Sequence, residues 1–176
     1  MDFGHEFRYL DTETERQALV DDFQRIRQMV IAFAEQFPPD KFYEPRYHGW
    51  SLAAMLAHLH FMDNICLLEI QLALVGIAPP LSSETLNRIN NNMARLFRQR
   101  RVTTTLDGIR KNEKRIANLI MRVPLDRFSK RIYYPPKDMY ITVEQALQQL
   151  FLFHWQEHFA TVQRGLVDEP PTSLTE

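Results

Sequence analysis

Apolar residues recur along this chain at spacings of three and four, in long stretches punctuated by proline pairs, while runs that alternate apolar and polar residues are scarce. That period belongs to helices rather than strands. Leu19, Phe23, Ile26, Val30, Phe33 and Phe37 form the first stripe, which opens at Thr12-Glu13-Thr14-Glu15. This is the pattern of a capping box, in which a threonine and a glutamate three residues on satisfy exposed backbone N–H groups reciprocally, and it predicts an amphipathic helix over about 13–36. A second helix follows Trp50-Ser51, with Ser51 as its N-cap, and runs to about Val75. It is apolar on nearly all sides and should lie deep in the fold.

The pairs Pro38-Pro39, Pro79-Pro80, Pro135-Pro136 and Pro170-Pro171 separate these segments. Ser82-Ser83-Glu84 starts a shorter helix leading to Phe97, and after Thr103-Thr104-Thr105 a helix runs from about Leu106 to Arg122, closed by Pro124. Both are more polar and should flank the core. A loop from Val123 to Ile141 leads to Thr142 and a last helix from Val143 to about Leu166, with Gly165 near its end. The expectation is an all-α fold, a four-helix up-and-down bundle with one additional shorter helix. It occupies about 12–167 of a single domain over 1–176 and leaves an unstructured tail, Asp168 to Glu176. Helices of about 24 residues are roughly 36 Å long, enough for facing side chains to build a site inside the bundle.

Composition narrows the class. Hydrophobic residues at 45% and charged residues at 24% are ordinary globular values, which argues against a disordered or fibrous chain. With 21 Lys and Arg against 22 Asp and Glu, the net charge of -1 offers no field to a polyanion, so nucleic acid is not an expected partner. Met1-Asp2-Phe3-Gly4-His5-Glu6 lacks the basic and apolar runs of a signal peptide, and no stretch approaches the roughly 18 uncharged residues of a membrane span. A cytoplasmic protein with no membrane contact is expected. Cys66 is the only cysteine, which rules out an intramolecular disulfide or a thiolate metal cluster; with no basic residue adjoining it, it reads as a small core residue.

The chemistry lies in the histidines. On the last helix Leu147, Leu150, Phe151, His154, His158 and Thr161 form one stripe, so two imidazoles stand one turn apart on an apolar face. Such a pair either reaches one metal ion or simply hydrogen-bonds within a core. His154-Trp155-Gln156-Glu157-His158 also matches the H-x-x-E-H pattern of inverzincin peptidases. That reading fails because the only glutamates after His158 are Glu169 and Glu176, with no helix left to present them. A third ligand is found in His58, well inside the most apolar helix; His60 points to a different face, and His5 and His48 precede helices, where solvent or a local hydrogen bond accounts for them. Three histidines from two buried helices favour a divalent metal ion.

Trp50-Ser51-Leu52-Ala53-Ala54-Met55-Leu56-Ala57-His58, then Thr142-Val143-Glu144-Gln145-Ala146-Leu147, then His154 and His158 four apart, occur in an order that resembles the DinB superfamily, including its YfiT-like members, over most of the chain. The resemblance implies a four-helix bundle in which His58, His154 and His158 bind a divalent ion, often zinc, nickel or iron. It also implies an activity of the kind found among relatives, the transfer of a low-molecular-weight thiol such as bacillithiol or mycothiol to a small electrophile, or isomerisation of maleylpyruvate.

Three neutral imidazoles leave an open coordination position at which a water or thiol is activated. Asp63 and Glu157 are candidate carboxylates around the ligands, although Asp63, five residues from His58, falls off its face; Tyr133 and Tyr134 could cover a pocket or pack over the bundle end. Arg95, Arg98, Arg100 and Arg101 read as a solvated helix end rather than an anion site, and Trp50 and Trp155 as packing residues. The expected function is a metal-dependent enzyme on a small-molecule substrate, thiol transferase-like in first place, with a metal-dependent hydrolase as an alternative. A non-catalytic binding or structural bundle is the other alternative, and pairing of outer helices into a homodimer is a further expectation.

Overall fold

In the computed structural model, which describes residues 4–47, 49–77 and 100–167 together with Glu84, Arg88 and Phe97, helix α1 spans Glu13–Gln36 and starts on the capping box. The Thr12 hydroxyl accepts from the Glu15 N–H at 3.2 Å, and the Glu15 carboxylate accepts from the Thr12 N–H at 2.9 Å. Its buried face carries Leu19, Phe23, Ile26 and Val30 at the expected spacing. Helix α2 (Leu52–Leu74) is capped by the Ser51 hydroxyl, which accepts from the Ala54 N–H, and every residue from Leu52 to Leu59 is buried. By length and composition alone α2 would suffice to cross a bilayer, but 61% of its most apolar window is buried inside the protein, as in a central core helix.

Helix α3 (Val102–Arg122) begins earlier than the predicted Leu106. Three consecutive threonines weaken helix propensity, yet Val102 and Thr105 are buried against the core and the Thr105 hydroxyl donates back to the Arg101 carbonyl at 3.3 Å, so packing outweighs propensity. Close approach of α3 to α2 depends on Gly108, because a Cβ there would sit 2.4 Å from Nε2 of His60.

The segment expected as a loop contains a hairpin. Strands β1 (Arg131–Tyr134) and β2 (Met139–Thr142) pair antiparallel, with Ile132 opposite Ile141 and Tyr133 opposite Tyr140. Ile132 and Ile141 are buried while their neighbours are not, but four residues of alternation beside a proline pair are too few to register as strand in the sequence. Asp138 adopts a left-handed conformation in the turn, and Thr142 ends β2 as the first member of a second capping box with Gln145.

The last helix is not uniform. It consists of α4 (Val143–Gln148), a π-helical turn (Gln149–Phe153) and α5 (His154–Val167). A π turn inserts one residue and rotates the remainder of the helix by about 100°. The buried stripe therefore passes from Leu147 and Phe151 to Trp155, Phe159 and Val162, while His154 and His158, predicted at the centre of the apolar face, move to its edge.

Around the bundle, α1 packs on α3 and the last helix, and α2 packs on the same two, so the consecutive helices α1 and α2 lie diagonally opposite. One buried ion pair spans that diagonal. Arg27 of α1 donates from Nη2 to Oδ1 of Asp63 of α2 at 2.8 Å, with both side chains essentially inaccessible. The same oxygen accepts from Nε1 of Trp155 at 3.0 Å, and Nη1 of Arg27 donates to the Phe151 carbonyl of the π turn at 2.7 Å. The guanidinium also stacks on Phe23 and Trp155. Of the predicted extra helix only Glu84 and Arg88, both helical, and Phe97 are described; Arg95, Arg98 and the tail fall outside the described residues.

Removing one partner of this pair leaves a bare charge in the core. Asp63→Ala is expected to cost about 3–5 kcal/mol in urea unfolding, while Arg27→Met combined with Asp63→Leu recovers most of the loss. A cost under about 1 kcal/mol for the single change would show that the pair does not hold the diagonal.

Candidate metal centre

Gly49, at φ +85°, makes the turn in which Tyr47 and Trp50 exchange backbone hydrogen bonds of 2.9 Å, a conformation only glycine takes without strain. The turn sets the Trp50 ring edge-on to His58, 5.3 Å between centroids, and Ser51 then launches α2. His58 is buried in the second turn of that helix. Rotation by the π turn brings His154 and His158 opposite it, with ring centroids 5.5 and 5.1 Å from His58 and 4.6 Å from each other.

One ring nitrogen from each histidine lies within 4.8 Å of the others, and the Nε2 atoms of His154 and His158 are 3.0 Å apart. Nδ1 of His58 is buried without a hydrogen-bond partner. Leaving such a group unsatisfied costs about 1–3 kcal/mol, so a buried cluster of three imidazoles with an orphaned nitrogen is incomplete as a hydrogen-bonded core. As a donor set it fits a divalent ion, since three neutral imidazole nitrogens are a common catalytic zinc shell.

Electrostatics favour the neutral rings that coordination requires. Burial, followed by the proximity of His158, lowers His58 to about 4. Burial lowers His154 well below the ordinary histidine value, with His158 and His58 adding to the effect, and burial alone lowers His158.

The three histidines form part of the wall of a cavity of about 350 Å³, within the size range of small-ligand sites. Met62, Ile65, Cys66 and Glu69 continue along the same face of α2; Ile132, Tyr133, Tyr134, Pro135, Pro136 and Ile141 come from the hairpin; Gln149 and Leu150 come from the π turn. Tyr134 is hydrogen-bonded to Gln149, whose Oε1 lies 2.8 Å from Nε2 of His5. Burial and then the charge of Glu157 raise the Tyr134 hydroxyl.

The other candidates take different places. Asp63 spends its contacts on Arg27 and Trp155 rather than on a histidine of the cluster, so its role is to hold the last helix beside His154. Glu157 is exposed. Trp50, expected to pack, lines the cavity, whereas Trp155 is fully buried. Cys66 is a buried thiol raised well above its ordinary value by burial, and it too touches the cavity. His60 faces α3, 3.3 Å from an Arg100 nitrogen and within reach of Asn64. His5 bonds across the chain to Gln149 rather than locally. His48 lies outside the described residues. The cavity residues on α2 were detectable in principle, since 62, 65, 66 and 69 follow 58 at helical spacing; the hairpin and the π turn left no such signal.

Fold and site together define a helical bundle whose interior carries a three-histidine cluster at the end of an apolar cavity. Among solved structures the chain is similar to YfiT from Bacillus subtilis, reported as a probable metal-dependent hydrolase with an unusual four-helix bundle topology; the TM-score is 0.74 and the identity 17%, over 92% of this chain and 91% of that one. The chain has that four-helix bundle fold, the one its resemblance to the DinB superfamily implies. No protein-family model matches the sequence, nor does any curated protein.

The lowered histidines make the metal-free protein acid-sensitive. Unfolding returns His58 from about 4 to the ordinary 6.5, so the unfolded chain binds the extra proton between those values and stability falls as pH drops through that window, by roughly 3 kcal/mol from this group. Urea midpoints of metal-free protein at pH 7 and pH 4.5 should differ clearly less in His58→Phe than in the native chain. An unchanged difference would contradict the neutral, buried state of His58.

Proposed function

We propose that this chain is a metal-dependent enzyme, with His58, His154 and His158 holding one divalent ion and a small, largely apolar molecule bound in the adjoining cavity. The observation that carries this reading is the position of the three imidazoles: they form part of the cavity wall, so an ion among them keeps a side open to a ligand, where a purely structural ion is enclosed by protein donors. When bound, such an ion supplies Lewis acidity and brings the ionisation of a water or thiol near neutral pH.

The chain's own residues supply the surroundings. Met62, Ile65, Leu150, Ile132 and Ile141 exclude water and favour an apolar substrate, Trp50 packs against His58, and Tyr134, held by Gln149, offers a hydroxyl at the wall. The Arg27–Asp63–Trp155 cluster keeps His154 in place from behind.

Hydrolysis is the reading we place first. It accords with what is reported of the YfiT fold relative, and the cavity wall contains neither Lys nor Arg among the described residues, so an anionic thiol co-substrate would gain no ion pair there. Thiol transfer to a small electrophile uses the same site and stands second.

The test is a panel of p-nitrophenyl esters of rising chain length, alongside thiol conjugation of chlorodinitrobenzene, before and after chelation. Ester hydrolysis that favours longer acyl chains, falls about a hundredfold or more on chelation and in His158→Ala, and returns with one equivalent of metal is expected. Hydrolysis indifferent to chelator and to His158 would overturn the hydrolase reading; metal-dependent conjugation without hydrolysis would put thiol transfer in its place.

A further inference from the structure

Glu69 is the only acidic residue on the cavity wall among the described residues. It stands three helical turns beyond His58 on the same face of α2, about 16 Å along the helix axis, with Met62, Ile65 and Cys66 between them. Unlike Asp63, its neighbour on this helix, it makes no hydrogen bond or ion pair with any described residue. Burial, with no partner to offset it, raises its carboxyl above the ordinary range.

A half-buried carboxylate with no partner among the described residues is a standing cost beside the apolar stretch of wall made by Met62, Ile65 and Cys66, and Gln or Leu would fill the place without that cost. A carboxylate accepts but does not donate when ionised, so what offsets the cost is a cation with N–H groups. We propose that Glu69 is the recognition residue for a protonated amine at the far end of the substrate. The ligand class is then an amphiphile, with its reacting group among the histidines, an apolar middle along Met62, Ile65 and Leu150, and an ammonium group on Glu69. This rests on the reading of the cavity as the substrate site, and it deepens that reading by naming the substrate class.

The test uses octylammonium and 1-octanol, which share an apolar tail and differ in the charged end, titrated calorimetrically into the native chain, Glu69→Gln and His154→Ala at pH 7, with metal content measured on the same samples. The native chain should bind octylammonium about tenfold tighter than octanol, as for a hydrogen bond to a charged group. Glu69→Gln should abolish that preference while still binding octanol, which shows that the variant's cavity is intact; His154→Ala should keep the preference. Equal binding of the two probes by the native chain, or a preference that survives in Glu69→Gln, overturns the proposal whatever the metal content. Native protein that carries no metal and takes up none on titration, but shows a Glu69-dependent preference, instead supports the amine site and refutes the metal reading.

Discussion

The ion pair between Arg27 and Asp63 is the interaction around which this bundle is arranged. It joins two helices that do not otherwise pack closely, and it does so where both side chains are shielded from bulk solvent and an unmatched charge would be intolerable. Burial opposes the charge on each group, lowering Arg27 and raising Asp63, so the pair persists only because further partners are at hand: the Trp155 N–H on the carboxylate, the Phe151 carbonyl and two aromatic faces on the guanidinium. Three of those four contacts come from the last helix, one from Phe151 in the π turn and two from Trp155 just beyond it. The polar cluster thus sets the depth and rotation of the helix that carries His154 and His158.

From that rotation the division between core and site follows. With Trp155 and Phe159 turned inward, the histidines at 154 and 158 lie at the boundary, facing His58 and the space beneath the hairpin. A uniform α-helix with the same sequence would carry Leu147, Phe151, His154 and His158 on one stripe and press both imidazoles into the bundle interior. The π turn keeps them within reach of a ligand and the hairpin roofs the space they face. Burial keeps the rings neutral, so a cluster that would be a poor hydrogen-bonded core is a good donor set.

Much of this was legible in the sequence because it depends on local rules. The capping boxes at Thr12 and Thr142, the Ser51 cap and the three-and-four spacing of α1 locate helix starts and buried faces from residues alone. The three histidines stood out because charged or titratable residues are rare on such apolar helices. Features that depend on tertiary partners were not legible. Asp63 looked like a candidate neighbour of the ligands until Arg27, 36 positions away, was seen opposite it. The early start of α3 rests on burial of Val102, the hairpin on two isoleucines under a proline turn, and the π turn on a carbonyl that finds an arginine. Glu69 carries no signal in the sequence, because only the finished cavity shows that it has no partner among the described residues.

The central claim is that His58, His154 and His158 form one metal site, and elemental analysis of untagged protein purified without chelator addresses it most directly, run beside His58→Ala and His154→Ala. About one equivalent of a transition metal in the native protein, lost in both variants, is the expected result. Native protein that carries no metal and takes up none on titration would contradict the account and leave the three imidazoles as core histidines.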